Sequence, residues 1–451
     1  MQHRQRALRL AAVVAAGGLV ISACGSSTKS ASTTTAASGS STTTGSATTA
    51  GTGSTTVPQP AGTTGSAASE TIGVTSSTIT IGQIATVTGP VPGLFKNAED
   101  SMDAFVAYQN SIGGVDGRQL KLDFKDDGLS CTTYTNAING LAQTTFAIAG
   151  TFSVVDSCGQ KTLDANPDFP DIQAYLFSPQ LYTTRNALSP SPQPPGYSTT
   201  GAIWIKNKFP NDITHTAALY SQTSKSSFDS LSSAFKAEGY DYVYTRGLGL
   251  TETNFTADVL RMKNDGVKIV DLQSTDVQDV VDFLQESAQQ GFHPDAVLSA
   301  PAYDATFFKL LGNTPASNAY MPLLFPMYLG EDRASNPELN TYLTWLDKVH
   351  PGDTANIYGI TAWESGVLLV QALQAAGGSP NRDALINQIN KTTTFDANGL
   401  VPPTNPAAKQ GATCIVMVGV SGDKFVRIDP ATKGFECNGY YNHITQAQAS
   451  A

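Results

Sequence analysis

The chain has 451 residues, a formal charge of −10 and a pI near 4.9. Such acidity excludes nucleic acid and anionic surfaces as electrostatic partners. The five cysteines and five histidines form no CxxC and no HExxH, so neither a metal site nor a cofactor is expected.

The first segment, MQHRQRALR, is basic through Arg4, Arg6 and Arg9. The uncharged run Leu10 to Ala23 follows, about 14 residues, too short to cross a bilayer, which takes roughly 20. A basic start, a short apolar stretch and small residues at its end describe an export signal. Ile21-Ser22-Ala23 leads directly into Cys24, which resembles the lipobox of bacterial lipoproteins. That resemblance implies removal of residues 1–23, a lipid on Cys24 and a chain held at the cell membrane on its extracytoplasmic side. Residues 24–70 are almost wholly Ser, Thr, Gly and Ala, with Lys29 among them. They cannot bury enough surface to offset chain entropy and are expected to be disordered. A coil of about 45 such residues spans roughly 35–40 Å.

The folded part opens with TITIGQIA, Thr78 to Ala85, a short β-branched strand ended by Thr88-Gly89-Pro90. Met102, Phe105, Val106 and Ile112 then mark an amphipathic helix. It starts near Asn97 or Asp100 and stops at Gly113-Gly114. Leu120, Leu122 and Phe124 alternate as a strand, a helix holds Cys131, Ile138 and Leu141, and FAIAGTF is the next strand. A further strand is expected to end near Ser178 in YLFSP. A helix in YSTTGAIWIKNKFP, the strand HTAALYSQ and the helix FDSLSSAFKAEGY continue the alternation. DYVYTRGLG, FTADVLRMKNDG, VKIVDLQS, VQDVVDFLQESAQQGF and DAVLSAP repeat it. PELNTYLTWLDKV and GITAWESGVLLVQALQAAGG are long helical patterns, and TCIVMVGVSGDKFVRIDP is a hairpin about Ser421-Gly422. Strands and helices in strict alternation with short links specify parallel sheets with helical faces, an α/β class.

Beyond Cys24 the cysteines are Cys131, Cys158, Cys414 and Cys437. Three pairings are formally open. Cys131–Cys158 and Cys414–Cys437 are preferred because each closes a short loop.

TITIGQIATVTGP, the helix ending NSIGGVDGR, and LKLDFKDDG together resemble the opening of type I periplasmic binding proteins, more narrowly the branched-chain amino-acid-binding family of ABC-transporter receptors. The likeness extends through GITAWESGVLLVQALQAAGGSPNRDALINQI to the final hairpin. It implies two Rossmann-like lobes joined by a three-strand hinge, with lobe 1 at 71–211, lobe 2 at 212–325, a return to lobe 1 over 326–400 and to lobe 2 over 401–445. It further implies a monomeric solute-binding receptor, not an enzyme, that passes a small amino acid, amide or aromatic acid to an ABC transporter permease. The rival readings are a ligand-sensing lipoprotein and an exported hydrolase. The folded part carries no GxSxG, no P-loop and no GxGxxG.

Ligand would sit where the strands of both lobes end. The loop 150–157 offers Ser153 first, with Asp156 as a binding group or a helix cap; Thr88 closes the loop after the first strand. Ser178, Gln180 and Tyr182 follow, and the last two are bulkier than the small residues and Thr of amino-acid-binding relatives. From lobe 2 come Ser224, Lys225, Asp276, Tyr303 and Asp304, with Asp304 favoured over Asp276 as partner of a ligand ammonium.

Overall fold

The computed structural model describes residues 71–191, 195–377, 380–445 and 448. The export signal, Cys24 and the linker 24–70 lie outside the described residues.

The first half builds one parallel sheet. Strand β1 (Thr78–Ala85) leads to helix α1 (Lys96–Ser111), then β2 (Gln119–Asp126), α2 (Cys131–Thr144), β3 (Ala147–Thr151), α3 (Gln160–Ala165), β4 (Asp171–Gln173) and β5 (Ala187–Leu188). The strands lie in the order β2-β1-β3-β4-β5, all parallel. Gly113 and Gly114 end α1 with φ of 109° and 75°, a conformation that favours glycine. Ser130 caps α2 by accepting the Thr133 N–H. The strand expected to run to Ser178 stops at Gln173, and the chain beyond it turns irregularly.

The second sheet has seven strands. The chain passes through β6 (Gly196–Ser198), α4 (Thr200–Lys208), β7 (Thr216–Ser221), α5 (Lys225–Ala237), β8 (Tyr242–Leu248), α6 (Thr256–Asn264), β9 (Ile269–Asp271), α7 (Val277–Gln289), β10 (Ala296–Leu298), α8 (Phe307–Leu311) and β11 (Ala319–Leu323). The helices α9 (Pro337–Val349), α10 (Ile357–Ala375) and α11 (Arg382–Ile389) follow, then β12 (Val416–Ser421), β13 (Lys424–Asp429) and β14 (Tyr441–His443). The order is β13-β12-β11-β10-β9-β7-β8, parallel except where the hairpin β12–β13 adds antiparallel to β11. β14 pairs with β6 apart from it.

Helices α9 to α11 return to the first sheet. The α10 helix is apolar all round and buried along nearly its whole length, as a helix covered on every side must be. It packs on α1 and β3. Gly359 and Gly366 make the α1 contact possible, since a Cβ at Gly366 would stand 2.4 Å from the Phe105 ring. Trp363 meets Phe105 edge-on at 5.2 Å and donates its indole N–H to Glu338 at 2.8 Å. Arg382 of α11 donates to the carbonyls of Ala142, Thr145 and Phe146. The chain thus joins the two α/β lobes three times. α4 belongs to the second lobe: Ala202 and Ile205 share a core with Leu231, Ile269 and Leu298, and Tyr240 donates to the Ala202 carbonyl at 2.7 Å. The span to 211 expected for the first lobe therefore includes a helix that packs in the second.

Disulfides join Cys131 to Cys158 and Cys414 to Cys437, with Cα–Cα distances of 5.5 and 4.3 Å. Among the described residues, no helix is long and apolar enough to cross a membrane.

Candidate ligand site

A cavity of about 190 Å³ lies between the two sheets, at the carboxyl ends of their strands. This is the position that open α/β sheets reserve for ligands.

The first lobe contributes rings. Phe95 precedes α1, Phe152 follows β3, Tyr175 and Phe177 lie on the turn after β4, and Tyr358 opens α10. Their centroids are close: Phe95 to Phe152 4.6 Å, Phe152 to Tyr358 5.0 Å, Phe152 to Phe177 5.5 Å and Tyr175 to Phe177 4.6 Å. Tilted and edge-on packing of this kind adds to area burial. Val91, Leu94 and Val154 also line the cavity on this side.

Two buried carboxylates turn Ser153 and Ser178 away on this side. Asp127 accepts from Thr86 Oγ1 at 2.7 Å, from the Leu129 N–H at 2.8 Å and from Ser153 Oγ at 2.5 Å. Asp156 accepts from the N–H groups of Phe177 and Ser178 and from Ser178 Oγ, which folds the turn that presents Phe177. Burial pushes the Asp156 carboxyl up to about 6. Ser153, Asp156 and Ser178 therefore do not line the cavity. Thr88 does not either; its N–H and hydroxyl both bind Asp126.

Gln180 is exposed. Tyr182 packs beside Lys409, a residue between α11 and β12 whose Nζ lies 6.0 Å from its ring centroid. Lys409 Nζ donates to the carbonyls of Leu181 and Thr184 at 3.0 and 2.8 Å, and burial pulls its ammonium down to about 8.

The second lobe contributes most of the polar rim. Ser221, Thr223 and Ser224 follow β7, Ser227 lies in the first turns of α5, and Gln273, Ser274, Thr275 and Asp276 follow β9. Asp276 caps α7 in a reciprocal box: its carboxylate accepts the Asp279 N–H at 2.9 Å. Asp279 also faces the cavity. Burial pushes its carboxyl up to about 7, with the Asp276 charge as the next cause. Leu231, Leu250, Pro301, Pro322 and Leu323 add apolar wall.

Of the residues expected from this lobe, Ser224 and Asp276 line the cavity. Lys225 runs along α5 to Asp229 at 2.7 Å. Tyr303 lies in the lobe core against Phe425 and Tyr328 and donates to Glu331 at 2.5 Å. Asp304 accepts from the N–H and hydroxyl of Thr306.

Two hydrogen bonds bridge the cleft. Ser226 Oγ donates to the Phe177 carbonyl at 2.6 Å, and Tyr175 donates to Ser227 Oγ at 3.1 Å. Both fix the cleft in a closed form.

A cavity walled by the strand ends of two α/β lobes, which the chain joins three times, defines a bilobed solute-binding fold. The chain belongs to the periplasmic binding protein family, whose model matches residues 78–424. Among solved structures, it is similar to a fatty acid ABC transporter substrate-binding protein from Thermomonospora curvata, at 16% identity and a TM-score of 0.65 over 80% of this chain and 94% of that one. A solute-binding protein of an R. palustris ABC transporter, in complex with 4-hydroxybenzoate, matches at 16% and 0.65 over 78% and 96%. The branched-chain amino acid transporter substrate-binding protein from Streptococcus pneumoniae, in complex with isoleucine, matches at 14% and 0.61 over 81% and 100%. A comparison with curated proteins finds no match.

Proposed function

We propose that this chain is an extracytoplasmic solute-binding receptor, tethered to the membrane through lipid on Cys24, that captures a small molecule and delivers it to an ABC importer. The observation that carries this reading is the cavity at the strand ends of both lobes, closed by hydrogen bonds that one lobe makes to the other. Bilobed receptors trap ligand by hinge closure, and the three crossings supply the hinge. The names of these similar structures, all substrate- or solute-binding proteins of transporters and two of them of ABC transporters, support the same assignment.

In this reading the five rings of the first lobe hold the body of the ligand, and Ser224 and Asp276 hold its polar part. Aromatic acids, amides, amino acids and amines form the panel of solutes to screen. Mass spectrometry of the small molecule that co-purifies with the chain tests the assignment. A discrete solute, unchanged after incubation and required for uptake-dependent growth, is expected. Chemical turnover of that solute would make the protein an enzyme, and uptake unaffected by deletion of the gene would make it a sensor.

A further inference from the structure

The charge lining the cavity is one-sided. Among the described residues that face it, Asp276 and Asp279 are the acidic groups, and no Lys or Arg is present. Two first-lobe hydroxyls at the strand ends are engaged elsewhere: Ser153 Oγ by Asp127 and Ser178 Oγ by Asp156. Two of the four helix N-termini at the cleft are closed by side-chain caps, α7 by Asp276 and α10 by Asn356. α1, whose start at Phe95 lines the cavity, and α5 begin without one. A free helix end carries about half an elementary charge, and no basic side chain stands beside the Asp276 and Asp279 carboxyl groups on the same wall. The hydroxyls of the rim can donate or accept, so they do not decide the sign of the ligand.

Resting on the receptor reading, we propose that the cavity selects an amine: a molecule with an apolar, ring-bearing body seated on Phe95, Phe152, Phe177 and Tyr358, and an ammonium head directed at Asp276 and Asp279. A carboxylate on the same body is rejected, because it would be desolvated beside like charges with no cation to pair with it. Zwitterionic amino acids are disfavoured for the same reason.

Three ligands with one body and three heads test this: 2-phenylethylamine, phenylacetamide and phenylacetate, titrated calorimetrically into the full-length, ligand-stripped chain. The amine is expected to bind roughly tenfold to a hundredfold more tightly than phenylacetate, with the amide between. In Asp279→Asn and in Asp276→Asn, which keeps a good capping residue, the advantage of the amine over the amide should disappear. A circular dichroism spectrum matching that of the parent shows that the variants are still folded. Phenylacetate binding as tightly as the amine overturns the selectivity and leaves the receptor reading standing. Binding of none of the three also overturns it, and the co-purified solute then decides the receptor reading separately.

Discussion

Ser226, in the first turn of α5, donates its hydroxyl to the carbonyl oxygen of Phe177 across the cleft, at 2.6 Å. The bond joins the second lobe to the ring wall of the first. A neutral hydrogen bond contributes about 1 kcal/mol net, a factor of roughly five. Ser226→Ala should therefore weaken ligand binding about fivefold, and small-angle scattering should show a larger radius of gyration at subsaturating ligand. An unchanged affinity would mean that closure does not use this contact.

Ser153 should matter to stability rather than to affinity. Its hydroxyl belongs to the buried Asp127, which it shares with Thr86 and the Leu129 N–H. Ser153→Ala is expected to cost roughly 1–3 kcal/mol in urea denaturation, because hydrogen bonds to charged groups exceed neutral ones. Its ligand affinity should stay within about twofold of the parent. A large loss of affinity with intact stability would place Ser153 on the ligand.

Stability should fall as pH rises through the neutral range. Burial pushes Glu364 up to about 8 and Asp171 and Asp279 up to about 7. Each carboxyl therefore holds its proton in the folded chain over a range where the unfolded chain has lost it. Their contribution is fully present below the ordinary carboxylate range and is lost as pH climbs through about 7 to 8. Tm should be higher at pH 5 than at pH 8.5. Glu364 accepts from Ser191 Oγ at 2.9 Å through one oxygen and has no partner for the other. Glu364→Gln keeps the acceptor without the charge, so it should raise Tm at pH 8.5 by roughly 2–4 °C for each kcal/mol recovered. A pH-independent Tm, equal in both proteins, would contradict this.

The two disulfides close short loops, with sequence separations of 27 and 23. Each is worth roughly 3 kcal/mol in the chain-entropy model. Reduction should lower Tm, and peptide mapping without reductant should recover Cys131 with Cys158 and Cys414 with Cys437. Crossed pairs would contradict the assignment.

Replacing Cys24 tests the tether. Cys24→Ser should move the protein from the membrane fraction to the medium, since the lipid is the anchor in the proposed reading. Retention of the variant on the membrane would remove that part of the proposal.

The alternation of strands and helices was legible because each element carries its own period and its own stop, as Gly113-Gly114 and the Asp276 cap do. The hairpin about Ser421-Gly422 and the disulfide pairs were local in the same sense. β11 was not read: Pro322 interrupts its pattern, yet it lies between β10 and β12 with apolar neighbours on both sides. The partner lobe of α4 depends on Tyr240 and Trp204 contacts distant in sequence. The site was the least legible part. The polar residues at the strand ends were the natural candidates, but a buried Asp127 and Asp156 take Ser153 and Ser178 for themselves. The side chains adjacent to them, Phe152 and Phe177, face the cavity instead. Tyr358 and Asp279 each sit in a first helical turn, where sequence alone suggests only a helix start.

Phe95, Phe152 and Phe177 line the cavity and also belong to the main hydrophobic core. Truncating such a ring costs about 3–5 kcal/mol, a large part of the 5–15 kcal/mol that holds a typical domain together. Lineages descending from this chain would thus find the ring wall nearly closed to mutation. The hydroxyl-bearing loops after β7 and β9 carry no such double duty, so diversification toward new solutes would run through the second lobe while the first stays fixed.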